Sequence, residues 1–161
     1  MNPWLKRIFL LLTIGGGFLG TVMTLLMLGK SELRIVEVPL ALAILGSFVF
    51  GIFSGWTLIQ NEDKGLRAVK WFFAIQIPFF SSPFFGYWMM SGFGFRAIIS
   101  DGGFTVTAKL GSDMRLSIMQ GFPWAVGVNV GALILFLLCR DIEHKRSLLS
   151  AVPDHSIEPT R

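Results

Sequence analysis

Asp101, Asp113 and Arg115 are the residues of this chain from which an enzyme acting on lipid would have to draw its chemistry. Both aspartates fall at predicted turns, in Asp101-Gly102-Gly103 and Gly111-Ser112-Asp113, where a carboxylate commonly bonds nearby backbone. No nucleophile, base and orienting group can be assembled around them. His144 and His155 lie eleven residues apart without metal-ligand spacing, and Cys139, the single cysteine, has no partner for a disulfide, a metal or a redox pair. Motifs for a metalloprotease helix, a phosphate loop, a dinucleotide fold or a nucleophile elbow are absent from the sequence. The expectation is a protein without catalytic residues, cofactor or metal.

Two amides complete the inventory. Gln76 and Asn129 are the strongly polar side chains lying deepest in apolar sequence. Such groups commonly hydrogen-bond between helices, and a substrate contact is the alternative.

The elements that must hold these residues are read from composition. Of 161 residues, 53% are hydrophobic and 15% charged, and the mean hydropathy is +0.65. An ordinary soluble domain carries about 25% charged residues, so the class is an integral membrane protein. The net charge of +4 comes from basic residues dispersed among loops, which argues against nucleic acid as a partner. Four segments approach the length of a crossing helix, about residues 8–28, 38–59, 71–92 and 122–139. The predicted fold is therefore an all-α four-helix transmembrane bundle over residues 1–140, with a small extracytoplasmic β-hairpin at about 96–120 between the third and fourth helices and a flexible cytoplasmic tail from 141 to 161.

Nine of the fourteen Lys and Arg residues fall on the side of the two termini and five on the other, which places both termini in the cytoplasm; small size and the lack of organelle signals point to a bacterial-type inner membrane. Trp4, Trp56, Trp71, Trp88 and Trp124 fall near predicted span ends, where aromatic belts form.

Each span carries small residues four apart, Gly16 and Gly20, Gly51 and Gly55, Ser82 and Gly86, Gly127 and Gly131, which would let helix backbones approach one another or another subunit. Pro78 and Pro83 interrupt the third span. Ser81 and Ser82 could bond the carbonyls they free, giving a kinked crossing helix; the other reading is a re-entrant segment or groove that also draws on Gln76 and Asn129.

From Phe104 onward apolar and polar residues alternate, pause at Gly111-Ser112-Asp113, and alternate again to Ile118. This is the pattern of a two-faced strand pair, with Arg96 to Ser100 as a third strand. The apolar side, Val106, Leu110, Leu116 and Ile118, is the candidate partner contact. The function these features suggest is an accessory or assembly subunit of a membrane complex, bound to the lipid bilayer and to other membrane subunits or itself. A small transporter or channel with its path near the Pro78–Pro83 break is the alternative.

Overall fold

The computed structural model describes residues 1–30, 38–119 and 121–150. Residues 31–37, with Arg34 and Glu37, and the tail from 151, with His155, lie outside the described residues.

Asn2 starts the first helix by accepting from the Trp4 N–H, and Pro3 follows at a position where no N–H is missed. The chain runs helically to Lys30 as α1 (Pro3–Leu10), a π-helical turn (Leu11–Gly15) and α2 (Gly16–Lys30). α3 (Val38–Gln60) returns along α2. The two approach closely because a β-carbon at Gly20 would lie 2.2 Å from the Phe48 ring, and one at Gly17 2.8 Å from the Phe48 carbonyl oxygen. Asn61 then restarts the helix, its side chain accepting from the Asp63 and Lys64 N–H groups, and α4 (Glu62–Ala74) folds back against α3. Glu62 and Asp63 in the first turn of α4 suit the positive end of the helix dipole.

Here the structure departs from the four-span bundle. Among the described residues only Pro3–Leu26 and Val38–Gln60 are long and apolar enough to cross a membrane, and 28% and 22% of their most apolar stretches are buried inside the protein, which sets them apart from mostly buried core helices. The third predicted span is the end of α4 followed by strands β1 (Pro78–Ser81) and β2 (Phe85–Met90). The fourth is strand β6 (Ala125–Asn129) followed by α5 (Val130–Ser150), whose second half is charged. Between them lie β3 (Phe93–Ser100), β4 (Gly103–Leu110) and β5 (Asp113–Ile118). Among the described residues the all-α, multi-pass description is therefore replaced by four helices, α1 to α2 counting as one, and a six-stranded antiparallel sheet ordered β4-β3-β6-β1-β2-β5.

Proline explains part of the switch. Pro78 opens β1 at a point where β1 pairs with β6 alone, since the ladder to β2 begins at Phe80, so its missing N–H is not required. Pro83 sits in the β1–β2 turn, where Ser82 bonds Phe85 through both backbone and hydroxyl. Aromatic and β-branched residues fill the strands that follow, and these favour a pleated surface over a helix.

The expected hairpin also has a different pairing. β4 does not pair with β5; it pairs with β3 around the Asp101-Gly102 turn, while β5 pairs with β2. Met90 stands opposite Asp113 and Phe93 opposite Leu110, so the register runs unbroken across the joints. β2–β3 and β4–β5 are thus the two legs of one long hairpin that folds over at Ser91-Gly92 and Gly111-Ser112. Gly92 (φ +82°) and Gly111 (φ +115°) supply the left-handed backbone that this fold-over needs.

The core lies where helices and sheet meet. Phe9, Phe48, Leu58, Val69, Phe72 and Phe73 pack together with Met89 of β2 and Cys139 of α5. Burial removes the Cys139 thiolate from solvation and pushes its pKa up to about 12. Below this core, charges tie the helix ends together. Glu62 accepts from Lys6 (2.9 Å) and Arg146 (2.5 Å) and lies 3.6 Å from the N-terminal ammonium, and Arg146 also holds Asp63 at 2.6 Å. The hydrogen bonds from Lys6 and Arg146 hold the Glu62 carboxyl down at about 2.

Candidate functional site

Alternation along each strand divides the sheet into two faces of opposite character. One carries Phe93, Phe95, Ala97 and Ile99 of β3, paired across to Leu110, Ala108, Val106 and Phe104 of β4. It continues through Val126 and Val128 of β6, Phe80 of β1, Phe85, Tyr87 and Met89 of β2, and Met114, Leu116 and Ile118 of β5. No charged residue occurs on this face from edge to edge, and its one hydroxyl, on Tyr87, donates to the Ile75 carbonyl.

The other face is polar and aromatic, and the sheet curls toward it. In a flat sheet β3 and β5 would be separated by four strand spacings of about 4.8 Å, roughly 19 Å. Arg96 of β3 nevertheless lies 4.0 Å from Asp113 of β5, and a β-carbon at Gly94 would meet the Met90 sulfur at 2.1 Å. The polar face is consequently the inside of the curl, and the apolar face is its outside.

Inside, charges and rings alternate. The Arg96 guanidinium lies over Phe79 (5.8 Å), Phe79 stacks on Trp88 (5.5 Å), and Arg115 lies over both Trp88 (5.1 Å) and Phe122 (4.9 Å). Asp113 takes Lys109 at 3.0 Å as well as Arg96. Trp88 Nε1, Arg96 Nε and Ser117 Oγ are buried there without a protein hydrogen-bond partner.

The sheet joins the helices at the π turn. Such a turn loosens the regular ladder, and hydroxyls take up carbonyls there: Thr13 Oγ1 donates to Phe9 O (2.6 Å), Ser91 Oγ to Leu12 O (3.2 Å) and Ser112 Oγ to Gly16 O (2.6 Å). The two folding points of the long hairpin therefore sit on one turn of the first helix.

The residues singled out in the sequence distribute over these parts. Gln76 does not bridge two membrane helices; its Nε2 donates to Phe72 O and its Oε1 accepts from Ser91 N, tying the end of α4 to the hairpin fold. Asn129 starts α5, its Oδ1 accepting from Ala132 N and also from Phe95 N. Pro78, Ser81, Ser82 and Pro83 belong to β1 and its turn, with Ser81 Oγ donating to Pro123 O, so the broken-helix groove has no helix to break. Gly16, Gly20, Gly51 and Gly55 face partners inside this chain: Ser91, Phe48, Phe72, and Thr13 with Ile14. Gly86 and Gly127 lie in strands rather than helices, against Ser117 and Ala97, while Gly131 is near the start of α5. Val106, Leu110, Leu116 and Ile118 share the apolar outer face, on its two edge strands.

The two aspartates are not drawn together. Asp101 is at the hairpin tip and Asp113 at its fold, separated by the eight residues of β4, about 25 Å of extended chain. Among the described residues no three His, Cys, Asp or Glu side chains are grouped to hold a metal ion. The curl and its cation–aromatic stack had no sequence signal beyond scattered Arg and Trp, because they arise from pairings far apart in the chain. Comparisons with protein-family models, with curated proteins and with solved structures found no match.

Proposed function

We propose that the protein is a membrane-bound accessory subunit, without catalysis of its own, that holds a partner membrane protein against the outer face of its curled sheet. The observation that carries this reading is the exposure of that face on β3, β4 and β6, where Leu110 is 80%, Phe104 68%, Ile99 66% and Val126 56% exposed, whereas Met89, Tyr87 and Met114 at its other end pack against the helix core. Soluble monomers rarely leave a contiguous apolar patch of more than several hundred Å² uncovered, so a face built this way calls for a cover. The partner would pack on the apolar side chains, and the open edges of β4 and β5 offer backbone groups for strand addition.

Two further features support the membrane setting. The helices Pro3–Leu26 and Val38–Gln60 present exposed apolar side chains such as Phe18, Met23, Leu42 and Phe53. The charged floor formed by the N-terminus, Lys6, Glu62 and Arg146 gathers the start of α1, the start of α4 and the late part of α5 at one end. With Lys64, Arg67 and Arg140 added, positive-inside bias makes that end cytoplasmic in a bacterial-type inner membrane.

The test is gentle detergent extraction of the tagged protein from its native membrane, followed by native mass measurement, with Leu110→Asp and Val106→Asp alongside. A stoichiometric partner that is lost in both variants, while insertion and thermal stability persist, is the expected result. Recovery of the wild type as a lone chain would sink the reading.

A further inference from the structure

We infer that the groove between α4 and α5 is a binding site for an anionic phospholipid, an assignment that rests on the membrane reading above. The groove encloses ≈ 860 Å³ and changes character along its length: Trp71, Phe136 and Leu137 line one part, and Arg67, Lys70 and Arg140 another. That order matches a lipid, whose acyl chain needs apolar walls and whose phosphate needs cations one helical turn further on. Trp71 and Leu137 are exposed, so the apolar part opens sideways rather than into the core.

The charges leave one cation over. Glu143 is occupied by Arg67 (3.2 Å) and by Lys70, and Asp141 by Lys145 (2.7 Å). Among the described residues Arg140 has no ion-pair partner, and it is exposed at the groove wall. A guanidinium presents a planar fork that suits phosphate oxygens, and it stays charged at every relevant pH. Its place, directly after the apolar run Leu135–Cys139, is the level at which α5 turns from apolar to charged sequence. This is where a headgroup lies when acyl chains cover the residues before it.

The experiment is native mass spectrometry of the full-length protein in detergent, titrated separately with phosphatidylglycerol, phosphatidylcholine and glycerol 3-phosphate. Phosphatidylglycerol should be retained preferentially, and glycerol 3-phosphate should not bind, since the apolar wall contributes to holding the ligand. One Arg near a membrane surface is worth about 1 kcal/mol toward an anionic lipid, so Arg140→Gln should weaken phosphatidylglycerol retention about fivefold. Lys109→Gln, which removes the same charge from the sheet, should leave the preference intact. Equal retention of both lipids, an unchanged Arg140→Gln variant, an equal loss in Lys109→Gln, or binding of glycerol 3-phosphate as tight as the lipid would each overturn the assignment. Failure of the membrane reading shows separately, as failure of the wild type to partition into phosphatidylcholine vesicles.

Discussion

Replacing Gly65 by alanine sets two physical effects against each other. Gly65 lies within α4, where alanine is favoured over glycine by up to about 1 kcal/mol on helix propensity. Its added β-carbon, however, would stand 2.1 Å from Leu58 Cα and 2.3 Å from Leu58 N. Neither is a side-chain end that can swing away, so α4 must move off α3 by roughly an ångström, and Leu66, Val69 and Phe72 move with it. Overpacking of this kind costs about 1–3 kcal/mol, and a clash with main chain belongs at the upper end. The net expectation is destabilisation by about 2 kcal/mol, a fall in thermal midpoint of about 4–8 °C for a chain of this size. Gly46→Ala is the paired control, because nothing lies within 4 Å of its β-carbon position in α3 and the propensity gain is unopposed. Both would be followed by thermal unfolding in the same detergent. A Gly65→Ala protein as stable as the wild type would refute the α3–α4 packing.

Three other expectations follow from the same geometry. The Glu62 carboxyl is held at about 2, below its ordinary 4.5, so its stabilising contribution is complete above about pH 4.5 and is lost as pH falls toward 2. With its side chain 35% exposed, solvent screening leaves about 1 kcal/mol, and Glu62→Gln should flatten the acid limb of a midpoint-against-pH curve by that amount. Cys139 is fully buried and its thiol is pushed up to about 12, so a maleimide at neutral pH should label it only as fast as the protein opens; rapid stoichiometric labelling of the folded protein would contradict the core. Phe72→Ala removes a ring packed against Gly51 and should cost about 3–5 kcal/mol, measured as loss of a cooperative thermal transition.

What the sequence made legible was local. The helices through Gly16–Gly20 and Gly51–Gly55 could be read from apolar length, and strands over 104–110 and 114–118 from alternation. The third and fourth predicted spans failed for one reason: summed hydropathy does not distinguish an apolar helix from strands with an apolar face and an aromatic lining. Phe85–Met90 and Phe93–Ser100 are rich in rings and β-branched residues, and Pro78 with Pro83 already disfavoured a helix there. Strand partners were beyond local reading. Gly111-Ser112-Asp113 carries the residues of a hairpin connector, yet the turn between paired strands is the other one read from the sequence, at Asp101-Gly102, and only the register of β2 with β5 makes Gly111 a fold in a longer hairpin. For the candidate site, the apolar outer set Val106, Leu110, Leu116 and Ile118 was readable from period two. Gln76 and Asn129 could be recognised as buried amides, but their bonds to Ser91 and Phe95 depend on the sheet.

The π turn at Leu11–Gly15 has a consequence for how this sequence can drift in length. A residue added to or removed from a helix rotates everything beyond it by about 100°, so the side chains before and after such a change fall out of phase. Phe9 points into the helix core, while Gly16 and Gly20, beyond the π turn, point to Ser91 and Phe48. The wide turn is what lets both halves of one helix meet their separate partners at once. Deleting one residue within Leu11–Gly15 would close the wide turn to a regular one and leave Gly16 and Gly20 in phase with Phe9, whereas a deletion between Gly16 and Gly20 would turn Gly20 away from Phe48. Related chains should therefore differ by a single residue at the π turn more readily than between Gly16 and Gly20, and alignment of such chains would display that asymmetry.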